Sequence, residues 1–312
     1  MQILKDIEVH TLTMGRYFPT RFGGDSRQLQ SSVQTYGILH PPRLFHDGNR
    51  FLILDGFERI KIAREMGVKE LPCYVYDKKH LSKQNAFLLC IELNRLGRPF
   101  NLVEKAQLLK VAYQIFSNAN IPKAFWTLIE IPHNIHSIQQ FKNLLKLPVA
   151  VQKYAINNNT SLATILTFLK FKAEEVEKLA AQLFTLPLNQ NKLSEILNLL
   201  LDISKREDKS PQAILDDMLP ALELEFSPNQ KEQKLRQLLQ QRRNPRYEKQ
   251  LANFEVLVKN LPINDKTRVQ PAPFFEDDYV EVTTKLRSQE DIKKFISALQ
   301  DASWMNLLKN KD

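Results

Sequence analysis

The sequence predicts an α+β protein: a small α/β N-terminal domain, an all-α middle region containing a helix-turn-helix unit, and a small α/β C-terminal domain. Three observations predict it. Short apolar runs flank His46-Asp47-Gly48-Asn49, apolar residues follow helical spacing from Leu102 onward, and strict alternation returns at Tyr279 to Thr284. The expected bounds are 1–98 for the first domain, 99–175 for the helix-turn-helix domain, 176–250 for a helical region with a basic linker, and 251–312 for a last α/β piece. A chain of 312 residues, 43% of them apolar, is long enough for two or three packed cores.

In the first domain, residues 42–45 and 50–54 read as strands, because an Asp-Gly pair between two apolar runs is a strong hairpin signal. The chain then turns at Asp55-Gly56, where glycine takes backbone angles other residues avoid and Asp55 is placed to cap a helix. That helix spans roughly 57–66, with Ile60 and Ala63 inward, and stops at Gly67. Leu71 to Tyr76 returns as a strand. The first helical N–H groups, Arg59 and Lys61 gather near one helix start, an arrangement that favours an anion.

The middle region is helical. Leu102, Val103, Ala106, Leu109, Val111, Ala112 and Ile115 repeat with a helical period. Pro122 opens a short helix over 123–129, Pro132-His133-Asn134 breaks it, and a third helix over 135–147 runs into Pro148. A short helix, a turn and a second helix form a helix-turn-helix pattern, whose second helix enters a major groove. On that helix Asn134, His136, Ser137, Gln139, Gln140 and Lys142 are polar, whereas Ile138, Phe141, Leu144 and Leu145 have core spacing. Gln and Asn side chains read adenine edges, and Ser137, His136 and Lys142 suit phosphates or bases.

Residues 170–217 continue as helices. Over 231–250, seven cations (Lys231, Lys234, Arg236, Arg242, Arg243, Arg246, Lys249) face two acids (Glu232, Glu248), a net of +5. This stretch is either a phosphate-tracking helix or a solvated linker, and Pro245 interrupts it. Arg268 to Pro271 and 278–286 read as strands, and Ser288 caps a helix with Ile292, Phe295, Ile296 and Leu299 inward. Two strands and a helix bury too little surface alone, so this tail is expected to pack on residues 254–261 or on a second subunit, which would give the 251–312 piece a dimerisation role.

Laid over these elements, the chain resembles the ParB family across roughly residues 5–170. In the first domain the resemblance rests on Leu29 to Val33, Gly37-Ile38-Leu39-His40-Pro41, the hairpin, Gly56 to Ala63, and Gly67 before Leu71-Pro72. The family's Gly-Glu-Arg-Arg-x-Arg-Ala-Ala run contacts CTP phosphates. Gly56, Arg59 and Ala63 match it, Lys61 is a basic replacement, and Phe57 and Glu58 depart, with Glu58 putting a repulsive charge where the family has arginine. The Glu-Asn-x-x-Arg motif falls at Leu93 to Gly97. Asn94 matches, and Arg95 or Arg98 stands in for the missing arginine. Leu144-Leu145-Lys146-Leu147-Pro148-Val149-Ala150-Val151-Gln152 is similar to the segment after the family's recognition helix.

The resemblance implies a ParB/sulfiredoxin-like fold, double-stranded DNA as partner, CTP with Mg as nucleotide at Gly56, Arg59, Lys61, Asn94 and Arg95, and a homodimer meeting a partition ATPase. The implied roles are chromosome or plasmid partition, nucleoid organisation or regulation. A CTPase-type activity is the enzymatic side of that reading. The same small fold serves sulfiredoxins and nucleotide-dependent kinases, but Phe57 stands where sulfiredoxin thiol chemistry needs cysteine. The remaining alternative is a phosphoryl-transfer or nuclease site with Glu58 as base or metal ligand and Asp55 as its near neighbour. The formal charge of +9 favours an anionic partner. Cys73 and Cys90 lack metal-ligand spacing and read as buried thiols. No signal peptide and no apolar run of about 18 residues is evident, which gives the expectation of a cytoplasmic, nucleoid-associated protein.

Overall fold

A computed structural model describes residues 2–13, 17–22, 27–116, 120–222, 226–275, 277, 279–301 and 303–304. The chain divides into two compact units, 1–197 and 198–312, with the division inside one helix, Gln190–Glu207.

The first unit opens with β1 (Gln2–Glu8), α1 (Arg27–Tyr36), β2 (Arg43–His46), β3 (Phe51–Asp55), α2 (Phe57–Glu65), β4 (Glu70–Asp77) and α3 (Lys83–Arg95). The four strands form one sheet in the order β1-β4-β2-β3, with β2 and β3 antiparallel and β2 and β4 parallel. The hairpin forms as the Asp-Gly pair dictates: Asp47 Oδ1 accepts from the N–H groups of Asn49 and Arg50 at 3.0 Å each, and Gly48 takes φ 104°. Alternation then sorts side chains between the faces. Leu44, Cys73 and Val75 join Ile60 and Ala63 of α2 in one core, with Phe51 and Ile53 packed against it. Leu52 and Leu54 are buried toward the other face, where α3 lies against β3 and Cys90 Sγ donates to the Leu54 carbonyl at 3.1 Å.

Helix α2 ends as expected at Gly67, whose φ of 73° accompanies bonds from Met66 N to Ile62 O and from Val68 N to Ala63 O. Its start differs from expectation. Gly56, not Asp55, is the residue before the helix, and it offers no side-chain cap. The Asp55 carboxylate is drawn to arginine instead.

The unit continues with α4 (Leu102–Ile115), α5 (Lys123–Ile129), α6 (Ile135–Leu144), α7 (Val149–Asn157), α8 (Leu162–Leu166), α9 (Ala173–Leu183) and the start of α10 (Gln190–Glu207). Asn101 and Glu104 make a reciprocal cap on α4. Glu130 turns left-handed at φ 52° after α5, and Asn134 caps α6 by accepting from Ser137 N at 2.8 Å. Helix α6 stops at Leu144, three residues earlier than its period suggests. Pro148 disfavours helical backbone in Leu147, and the end tightens through bonds from Lys146 N to Asn143 O and Leu147 N to Leu144 O. A row of rings joins these elements: Phe18 to Phe87 at 5.2 Å, Phe87 to Phe125 at 6.0 Å, Phe125 to Trp126 at 5.4 Å, and Trp126 stacked on His133 at 4.1 Å.

The second unit holds the rest of α10, then α11 (Pro211–Asp216), α12 (Leu219–Leu222), α13 (Pro228–Arg243), α14 (Pro245–Lys259), β5 (Thr267–Pro271), β6 (Val280–Thr284) and α15 (Gln289–Leu299). Pro245 divides the basic stretch into two helices, as its missing N–H requires. Asp278 lies outside the described residues. The β5–β6 hairpin packs Val269, Val280 and Val282 against Phe254, Leu257 and Val258 of α14, with Leu261 and Trp304 completing the core. Of the inward face expected for α15, only Phe295 is even half-buried. Ile292, Ile296 and Leu299 are exposed among the described residues, because the hairpin's apolar side is already covered by α14. No helix among the described residues is long and apolar enough to cross a membrane.

Candidate functional site

Two places in the first unit gather the residues singled out in the sequence. The first is the β3–α2 turn. Gly56 sits there at φ 91°, and a Cβ would lie 3.0 Å from the Pro42 side chain and 3.2 Å from the Pro42 backbone, so both conformation and space require glycine. Arg59 leaves the first turn of α2 and is held from two sides: Nη2 donates to Asp55 Oδ2 at 2.9 Å and Nη1 donates to the His40 carbonyl. Arg43 reaches the same Asp55 oxygen at 3.3 Å. One carboxylate therefore offsets two guanidinium groups.

Lys61 points along the helix, with its ammonium 3.8 Å from Glu65. Asn94 lies on the last turn of α3 rather than in the loop after it. Its amide donates to the Leu54 and Cys90 carbonyls at 2.8 Å each, and its oxygen accepts from Thr20 Oγ1 at 3.1 Å. It pins α3 and the 17–22 segment to the end of β3. Arg95 makes two bonds to Glu92 and does not join this group. Arg98 does: it clamps the buried Glu104 at 2.8 and 2.5 Å, and the bonded carboxylate raises its pKa. Glu104 also accepts from Phe22 N at 2.7 Å and Asn101 N at 3.0 Å.

This strapping of Thr20 and Phe22 puts Arg21 at the site, a residue the sequence reading missed. Burial and then the neighbouring Arg98 lower the Arg21 pKa, while Glu104, Glu58 and Asp55 oppose the shift. The site thus has half-buried Arg59 and Arg98, each on a carboxylate, with the exposed Arg21 on the strapped segment between Thr20 and Phe22. No local signal marks Arg21, since its placement depends on contacts with residues more than seventy positions away, at Asn94 and Glu104. Burial pushes the Cys73 thiol up to about 12 and raises that of Cys90 as well, so neither sulfur is a ready nucleophile.

The second place is α6. Phe141 and Leu144 are buried, while Ile135, His136, Gln139 and Lys142 are exposed. Ser137 and Gln140 are half-buried. Asn134 is committed to the cap. Gln139 donates to Asn143 Oδ1 at 3.0 Å, and the Lys142 ammonium sits 4.0 Å over the Tyr113 ring. From Ile131 to Lys170 the chain contains Lys142, Lys146, Lys153 and Lys170 and no Asp or Glu.

No family model matches the chain. It is 43% identical over 51 residues to an uncharacterized protein, ORF326b, of Acidianus two-tailed virus, a match covering 16% of this chain and 15% of that protein. The chain therefore spans about 15% of the length of the curated relative it matches. Among solved structures it is similar to the C-terminally truncated chromosome-partitioning protein ParB of Caulobacter crescentus in complex with CTP-γ-S, at 20% identity, over 57% of this chain and 97% of that one, with a TM-score of 0.27. The same protein complexed to the centromeric parS site gives 18% identity, 62% and 98% coverage and a TM-score of 0.33. A Pnob8-like ParB N-domain gives 14% identity, 63% and 89% coverage and a TM-score of 0.36.

Proposed function

We propose that this protein is a ParB-type DNA-binding protein, in which α5, the turn and α6 act as a helix-turn-helix unit and α6 enters the major groove of double-stranded DNA. One observation carries the reading. The segment 131–170 has lysines and no carboxylate, and α6 turns its polar stripe to solvent while Phe141 and Leu144 anchor it. A duplex repels carboxylates and rewards lysines. His136, Gln139, Gln140 and Lys142 are the reading and phosphate-binding side chains, with Ser137 beside them and Asn134 setting the start of the helix.

The β3–α2 turn serves in this reading as a nucleotide phosphate site. Arg21, Arg59 and Arg98 fit phosphate oxygens in chemistry, Gly56 lets backbone come close, and Asn94 keeps the three segments together. The motif resemblance points to CTP. Asp55 is engaged by Arg43 and Arg59, and among the described residues no group of three or more His, Cys, Asp or Glu side chains fits a metal ion, so no residue is assigned to magnesium. Lys61 and Arg95 act peripherally. A homodimer working in partition or nucleoid organisation with an ATPase partner completes the proposal.

The test is fluorescence anisotropy of the full chain on a random-sequence duplex at increasing salt, with CTP, with ATP and without nucleotide. Binding that weakens steeply with salt and shifts with CTP supports both parts. Absence of duplex binding at about 50 mM salt removes the DNA reading, and an identical curve in all three arms removes the nucleotide reading.

A further inference from the structure

Ile135 occupies the first position of α6 and is 88% exposed, the most exposed large apolar side chain among the described residues. Its setting is fixed. The preceding Asn134 is locked into the cap, and His133, one residue earlier, stacks face to face on the buried Trp126 at 4.1 Å and 13°. The residue is held out on a braced turn. Gln139, four positions on, shares its side of the helix, and exposed His136 lies beside it.

An isolated exposed aliphatic group needs no explanation by itself. Here the position supplies one, because the first residues of a groove-entering helix are those that meet base edges. The only apolar group a major groove offers is the C5-methyl of thymine, and the adenine paired with it presents the N6 and N7 atoms that a glutamine amide matches. Ile135 and Gln139 thus display, one helical turn apart, the two chemistries that an A·T pair presents.

We infer that Ile135 is a specificity-determining residue that packs on a thymine C5-methyl group, so that the DNA site of this protein contains a thymine opposite the start of α6. The inference rests on the DNA-binding reading above and goes further by naming the base group that is read.

The experiment uses the full chain and duplexes selected from a random pool, each made once with thymidine and once with deoxyuridine, which lacks only the methyl. The wild type is expected to bind the uridine form roughly fourfold more weakly, the worth of one methyl group. Ile135→Ala is expected to bind both forms equally, with an unchanged salt slope and an unchanged circular dichroism spectrum. Equal affinity of the wild type for both forms overturns the inference while leaving DNA binding intact. So does an undiminished uridine penalty in Ile135→Ala. A wild type that selects no duplex at all overturns the DNA reading itself, and the inference with it.

Discussion

Helix α6 with the residues after it and helix α13 with its neighbours are both basic in sequence, yet they spend their charge differently. Around α13 the cations are met by carboxylates. Arg242 binds Glu207 and Asp217 at 2.7 and 2.8 Å, Arg243 binds Asp202 at 2.8 Å, and Arg236 binds Glu232 at 3.3 Å. Arg206 adds bonds to the Arg242 and Arg243 carbonyls and so closes the end of α13. Between residues 131 and 170 there is no carboxylate to play this part. A count of seven cations against two acids therefore overstates what the 231–250 stretch offers a phosphate backbone, because partners distant in sequence answer two of its arginines, Arg242 and Arg243.

The comparison predicts different outcomes when charges are removed. The largest effect belongs to the most buried pairing. Glu104→Gln strands Arg98 and weakens the hold on Phe22, and should cost about 3 kcal/mol, the low end for breaking a buried pair because Arg98 is a third exposed. Urea unfolding measures it, and a loss under 1 kcal/mol would show that Glu104 does not organise the Arg21 loop. Next, replacing Lys142 and Lys146 together with Ala should weaken duplex binding roughly a hundredfold at low salt and flatten the salt slope by about two. Unchanged binding would break the contrast between the two regions.

A smaller effect is expected from Arg242→Ala. It should cost about 1 kcal/mol of stability, as for one partly exposed charged network, and change duplex affinity less than about twofold. A large loss of affinity with stability intact would mean that the paired cations also serve DNA. The smallest effect is the pH dependence of that network. The Arg242 guanidinium holds Glu207 down at about 2, below its ordinary 4.5. A carboxylate with a depressed folded value contributes stability above its unfolded value, and that contribution fades as pH falls toward the folded one. The gap in thermal midpoint between wild type and Glu207→Gln should therefore be full at pH 6 and shrink progressively from about pH 5 toward pH 2. A gap that stays constant over this window would dissociate the ion pair from stability.

What could be read ahead of the structure was local. Asp47-Gly48 marked the hairpin, Gly56 and Gly67 bounded α2, Pro122 opened α5 and Pro132-His133-Asn134 marked the break before α6, because each depends on the conformational preference of a few residues. Helix α3 went unread although Ser82 caps it and Ala86, Phe87, Cys90 and Ile91 are its buried side. The edge strand β1 buries little besides Ile7, so it lacks the alternation that identifies a strand. At the candidate sites, residue types were legible and their commitments were not. Arg59 and Arg98 meet carboxylates only four and six residues away, but that Arg242 meets Glu207 and Asp217 is decided by chain segments 35 and 25 residues away. The outward apolar stripe of α15 shows the same limit: periodicity says a face is apolar, not that anything covers it.

The two tryptophans of the chain fall one in each unit, Trp126 against His133 and Trp304 in the core beside Phe254 and Leu261. The protein thus carries its own optical labels. Trp126 lies under the imidazole that precedes the α6 cap and edge-on to Phe125, and its indole N–H is buried without a hydrogen-bond partner among the described residues, so its emission is set by these ring contacts more than by solvent. In a Trp304→Phe variant, excitation at the red edge that reaches indole and not the eight tyrosines would report on the entrance to α6. The approach of a duplex would then be visible as a change in colour and intensity with no dye attached.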